Sequence, residues 1–329
     1  MTLVHVEEAM GTVFSLRLEP GALDPDAAAA AVAAACALIH DADATFSTWQ
    51  ADSAISRMRR GELALGDAPA EVAEVLDLCH RAHRLTDGLF DAWASPDGVD
   101  PTGIVKGWAG QRAAEALLAA GFPAVNVNAG GDVQVLGGPQ RIGVRSPDRP
   151  DLLACVVDVA GAIATSGGYE RGAHLVDPRT GRAAEGPRSA TVVGPELWLA
   201  DALATALFVE GVPGLARIAA VEGYAGLVID AEGMLRPGAG FPLAGDFFEG
   251  IAAKYSRVLT LEDGLIGTPS SGPRGFAALA AGHLGGTGVA LQHFGIVDPT
   301  VAPSESFLEL WEHFGMTEAK LVSALVDHK

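Results

Sequence analysis

The sequence predicts an α+β fold, and three observations carry that prediction. Short segments of alternating or continuous apolar residues read as strands. Stretches with helical apolar spacing stand between and before them. The two kinds of segment follow one another without the strand–helix–strand rhythm of a doubly wound sheet. The 329 residues are enough for one large domain or two, and 49% of them are hydrophobic, with abundant Ala and Gly.

In chain order, residues 10–18 alternate apolar and polar side chains and predict a first strand. Residues 24–44 have helical spacing, opened by Asp24-Pro25-Asp26, an N-cap with Pro in the first turn. A polar loop from Trp49 runs into a short helix ending at Arg60. A second amphipathic helix, 69–86, stops at Asp87-Gly88; after a loop over 91–103 a third, 104–120, ends at Gly121. Strands are predicted at 124–128, 133–136, 142–145, 155–159, 190–194 and 225–229, with a strongly apolar helix at 198–210. The turn-rich segment 236–248 marks a break, dividing the chain into domains 1–242 and 243–329. Beyond it, a strand at 257–262, a helix at 275–284, a strand at 288–294 and helices at 305–314 and 317–327 suggest a small βαβ-type unit.

Composition excludes some partners. A net charge of −19 disfavours nucleic acid and anionic membrane surfaces. A phosphate-bearing ligand would need local compensation from Lys, Arg, a helix N-terminus or a divalent cation. Cys36, Cys79 and Cys155 show no CxxC or Cys/His ligand spacing, and their apolar neighbours predict reduced, buried thiols. The N-terminus carries no basic, apolar signal pattern, and the Ala-rich stretch 27–37 is too short to span a bilayer, so a cytoplasmic protein with no membrane partner is expected.

The richest segment is 164–181, which holds Thr165, Ser166, Gly167, Gly168, Arg171, His174, Asp177 and Arg179. Paired glycines after two hydroxyls let backbone N–H groups approach an anion, and the arginines offer fixed forks of donors. His174 is the one side chain there that exchanges a proton near neutral pH. Asp177-Pro-Arg-Thr-Gly reads as a turn, so these groups are expected on loops, either as an anion site or as an ordinary surface loop. Lys106 opens the third helix, where it is either solvated or matched to an anion. Gly130-Gly131 between Asn128 and Asp132 serves either a hairpin or a close ligand approach. Asp201 and Thr205 lie four residues apart on one face of an apolar helix. They are either a capping pair or oxygen ligands for Mg²⁺, since a carboxylate among Ala and Leu needs a partner. His40, His80 and His83 read as packing or surface residues.

In order along the chain, Met10-Gly-Thr12, Ser53-x-Ile-Ser-Arg57, Gly88-Leu-Phe-Asp91, Asp100-x-x-Gly-Ile-Val-Lys106-Gly, Asn128-x-Gly-Gly-Asp132, the 164–181 segment and 200–208 resemble the FAD:protein FMN transferases, the ApbE family, over about residues 5–240. The resemblance implies Mg²⁺ held by Asp201, Thr205 and the main-chain carbonyl of Val105. It implies FAD beside Lys106, Gly130, Gly131, Thr165, Ser166, Gly167, Arg171 and Arg179, with Met10, Thr12, Ser53, Asp91 and Asp100 supporting the pocket. His174 is then the general base that activates a Thr or Ser hydroxyl of an acceptor flavoprotein, with AMP leaving. An FAD pyrophosphatase giving FMN and AMP, or a non-catalytic flavin-binding or scaffold protein, are the alternatives. The segment between Asp91 and Asp100 is shorter than in longer members of the family, which bears on how an acceptor docks. Residues 254–264, Phe294-Gly-Ile and Phe314-Gly-Met resemble the C-terminal domain of deoxyxylulose-phosphate synthase, a transketolase relative. That implies a small α/β partner-binding domain without the thiamine chemistry. The acceptor's identity and the oligomeric state are left open by the sequence.

Overall fold

A computed structural model describes residues 2–149, 152–168, 176–244, 253–265, 267–268, 272–273, 284 and 288–296. The first part of the chain forms β1 (Leu3–Ala9), β2 (Thr12–Glu19), α1 (Pro25–Phe46), α2 (Ala54–Arg59), α3 (Ala70–Leu85), α4 (Thr102–Ala119), β3 (Ala124–Ala129) and β4 (Asp132–Leu136). Then follow β5 (Gln140–Arg145), β6 (Leu153–Val159), β7 (Ala162–Gly167), β8 (Val176–Asp177), β9 (Arg182–Ala183) and β10 (Ser189–Gly194). After these come α5 (Leu197–Glu210), α6 (Leu215–Ala219), β11 (Ala225–Ile229), β12 (Leu235–Pro237), β13 (Arg257–Leu265), β14 (Gly267–Thr268), β15 (Gly272–Pro273) and β16 (Ala290–Ile296).

Eight strands make one sheet in the order β1-β2-β3-β4-β7-β10-β11-β12, and every pairing in it is antiparallel. Helices α1, α4 and α5 pack along it, so the mixed α+β class read from the sequence is the observed one. Each strand's pleat explains its role. Val125, Val127 and Ala129 of β3 are fully buried while Asn126 and Asn128 between them face the other way. β10 and β11 are buried along nearly their whole length, which is why they read as continuous apolar runs.

Several boundaries differ from expectation. Residues 10–18 are not one strand: Met10 (φ 53°) and Gly11 (φ 65°) form the two-residue turn of a β1–β2 hairpin. β1 escaped notice because its inward face carries His5 and Glu7, which break the apolar alternation. Thr165, Ser166 and Gly167 lie on β7, not on a loop, paired with Thr191, Ala190 and Ser189 of β10, while β4 pairs with the start of the same strand at Ala162 and Ile163. α1 runs for 22 residues, well beyond 27–37, and is by length and composition apolar enough to cross a bilayer. Its Val32, Ala35, Cys36 and Ile39 are buried in a core with Phe14, Leu16 and Leu18 of β2 and Leu117 of α4. Its start is as the sequence predicts, with Asp24 Oδ1 accepting from the Asp26 and Ala27 amides. Cys36 and Cys79 are buried free thiols, but Cys155 is only half-buried.

Gly107 fixes how closely α4 approaches α5. A Cβ there would sit 2.9 Å from the Leu197 carbonyl oxygen and 3.0 Å from Trp198 Cα, both main-chain atoms that cannot rotate away. Gly107→Ala is therefore expected to force the two helices apart and cost about 1–3 kcal/mol of stability, measured by urea unfolding. An unchanged midpoint would mean that the helices slide without penalty.

The chain divides into two units, one of residues 1–140 with 158–242 and one of 141–157 with 243–329. The second unit thus takes in most of the β5–β6 hairpin as well as the chain beyond Pro242. Within it, Val157 bridges Leu243, and Val156 accepts from the Ala244 amide at 2.9 Å. β13 and β16 pair in parallel, from Arg257 opposite Ala290 to Leu261 opposite Phe294. Parallel neighbours require a crossover between them. The helices expected at 275–284, 305–314 and 317–327 lie, apart from Leu284, outside the described residues.

Candidate functional site

Four elements of the first unit converge on one cluster of charge. Lys106 sits in the first turns of α4, one residue after Val105, whose own side chain is buried. Asp132 opens β4 immediately after the Gly130-Gly131 turn. Asp201 and Thr205 lie one turn apart on α5. Thr165 and Ser166 stand near the end of β7.

The contacts are specific. The Lys106 ammonium donates to Asp132 Oδ2 and lies 3.1 Å from Asp201 Oδ2. The other Asp132 oxygen, Oδ1, accepts from the Thr165 amide at 2.9 Å. Thr165 Oγ1 is 2.9 Å from Thr191 Oγ1, and Ser166 Oγ is 3.3 Å from Thr205 Oγ1. Asp201 is not a helix cap; its 8% exposure leaves it among Ala and Leu. Its Oδ2 is buried and receives no aligned hydrogen bond, even though the ammonium is near enough to neutralise it in part. Among the described residues, one lysine thus faces two carboxylates, leaving these three side chains with an excess of one negative charge. A buried acceptor without a donor costs free energy that a cation would recover. The donors at hand are carboxylate and hydroxyl oxygens, the set that suits Mg²⁺ rather than a soft metal.

Gly130 and Gly131 form a hairpin turn, the first of the two readings the sequence left open. They turn the β3–β4 hairpin with φ of 60° and 109°, and they bring Asp132 to the cluster. A Cβ on Gly130 would overlap Thr12 Oγ1, so the glycine lets β2 and the turn close on one another. The Gly131 amide donates to Asn128 Oδ1 at 2.7 Å, which fixes the turn from its own side chain.

The remaining expected residues are placed as follows. The Met10 amide donates to Asp43 Oδ2. Ser53 caps α2, accepting from the Ser56 amide and donating to the Ser47 carbonyl at 2.5 Å. Asp91 accepts from the Trp93 amide, and Asp100 accepts from the Thr102 amide and hydroxyl while pairing with Arg59 at 3.2 Å. Each of these makes a local structural contact. Arg179 is held by Asp177 through two donors, and that contact pushes the Asp177 carboxyl below its ordinary range. Arg171 and His174 lie outside the described residues. Asp132 is the member that sequence reading left without a role. Its signal was a carboxylate at the head of an apolar strand, where it is 4% exposed. A cleft of about 590 Å³ lined by Ala162, Gly194, Pro195 and Tyr224 sits at the opposite ends of β7 and β10 and contains none of these groups.

A model of the ApbE family matches residues 10–97 and 93–228. Over 138 residues the chain is 39% identical to an FAD:protein FMN transferase of Rhodobacter capsulatus, a match covering 38% of this chain and 26% of that protein. Over 129 residues it is 33% identical to an FAD:protein FMN transferase of Vibrio cholerae serotype O1, covering 34% and 39%. The matched stretches thus span less than half the length of either relative. Among solved structures, the ApbE protein of Thermotoga maritima superposes with a TM-score of 0.65 at 21% identity, over 73% of this chain and 97% of that one. The flavin transferase ApbE from Vibrio cholerae gives 0.62 at 22% identity, over 73% and 98%. At those identities the likeness is one of fold.

Proposed function

The chain belongs to the ApbE family, and from that premise we propose that it transfers FMN from FAD to a Thr or Ser hydroxyl of an acceptor flavoprotein, releasing AMP. The observation that carries the reading is the buried Lys106–Asp132–Asp201 cluster with its unsatisfied Asp201 oxygen. Asp201, Thr205 and the Val105 main-chain carbonyl would hold Mg²⁺. When bound, the cation supplies Lewis-acid polarisation of a pyrophosphate oxygen.

The chain's own residues do the rest. Lys106 would neutralise developing charge on the pyrophosphate, with Asp201 turned to the cation it would hold. Asp132 fixes that ammonium through Oδ2 while its Oδ1 anchors the end of β7. Thr165, Ser166 and Gly167 border the same end of the strand, and Arg171 and Arg179 supply further donors to phosphate. His174 takes the proton from the acceptor hydroxyl, whose oxygen attacks the FMN-side phosphorus while the bond to AMP breaks. The segment 243–329, with its resemblance to a transketolase C-terminal domain, acts in partner binding, and the protein works in the cytoplasm.

Incubation with FAD, Mg²⁺ and a co-expressed acceptor flavoprotein tests this by mass spectrometry. A mass gain equal to esterified FMN, with AMP released in equal amount, is the expected result. Free FMN and AMP without a modified acceptor would make the protein an FAD pyrophosphatase. No AMP at all would leave a flavin-binding or scaffold protein.

A further inference from the structure

Away from the phosphate cluster, β1 and α1 bring together a second set of ligand-type side chains. His5 and Glu7, two apart on β1, face the same side of the strand. Cys36 and His40, four apart on α1, face the same side of the helix. The ligand atoms of His5, Glu7 and Cys36 all lie within 4.8 Å of one another. His40 Nε2 is 2.7 Å from Glu7 Oε1, and His5 Nε2 is 3.0 Å from Glu7 Oε2. Cys36 and His40 are therefore at a ligand spacing after all, which was invisible while β1 went unrecognised.

We propose that His5, Glu7, Cys36 and His40 form a Zn²⁺ site that pins the edge strand β1 to α1. The donor set is two imidazoles, one thiolate and one carboxylate, which suits a borderline-soft tetrahedral ion and not Mg²⁺. Bond lengths of 2.0–2.3 Å place tetrahedral ligand atoms roughly 3.3–3.8 Å apart; the His5, Glu7 and Cys36 donors already lie within 4.8 Å of one another, while His40, which touches Glu7 but stands outside that group, turns toward the ion to complete the set. The half-exposed His40 and the partly exposed His5 give the ion a path from solvent, while buried Cys36 forms the floor. A bound ion takes Cys36 as thiolate, so binding displaces the sulfur proton to solvent as the metal–thiolate bond forms.

The site shares no residue with the Asp201 cluster, and its donor chemistry gives it a distinct signature. The full-length protein, stripped with chelator and kept in excess Mg²⁺ so that oxygen sites are filled, is titrated with Co²⁺ and then Zn²⁺. One equivalent of Co²⁺ is expected to give a near-ultraviolet thiolate charge-transfer band and the intense visible bands of four-coordinate cobalt, both bleached by one equivalent of Zn²⁺. Cys36→Ser should remove the near-ultraviolet band. His40→Ala, at a half-exposed position, should weaken Zn²⁺ binding by at least about tenfold. Absence of a thiolate band in the wild type, or its persistence in Cys36→Ser, would overturn the assignment. So would unchanged Zn²⁺ affinity in His40→Ala.

Discussion

Asp201→Asn is expected to lower Mg²⁺-dependent turnover of FAD by more than about 100-fold, while the metal-free protein melts no lower than the wild type. The first half follows from ligand chemistry. Loss of an outer partner of a metal ligand already costs roughly 10–100-fold, and an amide in place of Asp201 removes the anionic ligand itself. The second half follows from the charge count. Two buried carboxylates share one ammonium, and Asp201 Oδ2 lacks an aligned donor. Removing that charge leaves a neutral Lys106–Asp132 pair, so the residue proposed to hold the cation is a burden on the empty fold. Calorimetry in chelator and AMP release in Mg²⁺ read the two halves separately. Activity near wild type would place the cation elsewhere, and a clear drop in melting temperature would make Asp201 a structural residue.

Lys106→Met is expected to do the reverse to stability. It strands Asp132, 4% exposed, and Asp201, 8% exposed, beside one another with no counter-ion. Breaking a buried pair costs roughly 3–5 kcal/mol, and the partly exposed lysine places this case near the low end, about 3 kcal/mol. The same variant gives Mg²⁺ a larger task, because the cation now supplies the only positive charge. At tenfold excess over its dissociation constant, Mg²⁺ adds about 1.4 kcal/mol to any state that binds it. The variant should bind it more tightly than the wild type, and so be rescued further. Urea unfolding with and without Mg²⁺ measures both effects. A variant with wild-type stability, or with no greater response to Mg²⁺, would show that the lysine does not balance these carboxylates. FAD turnover should remain low even when the fold is rescued, since the ammonium that faces the pyrophosphate is gone.

Much of this arrangement was legible from residue order. The helix bearing Asp201 announces itself as a long apolar run, and the i, i+4 placement of Asp201 and Thr205 survives intact on α5. What sequence could not convey is pairing. Thr165-Ser166-Gly167 has the composition of a loop and becomes a strand because β10 pairs with it. Asp132 looks like the tail of a turn until the hairpin places it opposite Lys106. β1 is hidden for a related reason. Its inward side chains are polar and charged, and only the facing histidine and cysteine of α1 explain why.

The antiparallel sheet also dictates when this chemistry can first exist. β2 finds its partner β3 only 105 to 115 residues later, as the Glu19–Ala124 and Phe14–Ala129 registers show. Asp201 follows Lys106 by a similar interval. Such long-range closures slow folding, because loop entropy is lost before the contacts that reward it form. During synthesis, a chain that has emerged as far as β10 already contains Lys106, Asp132 and Thr165 but not yet α5. It therefore carries the phosphate-facing ammonium with its carboxylate partner and no Asp201 or Thr205. On the proposed function, FAD turnover would begin only once α5 docks and brings Asp201 and Thr205 to the cluster.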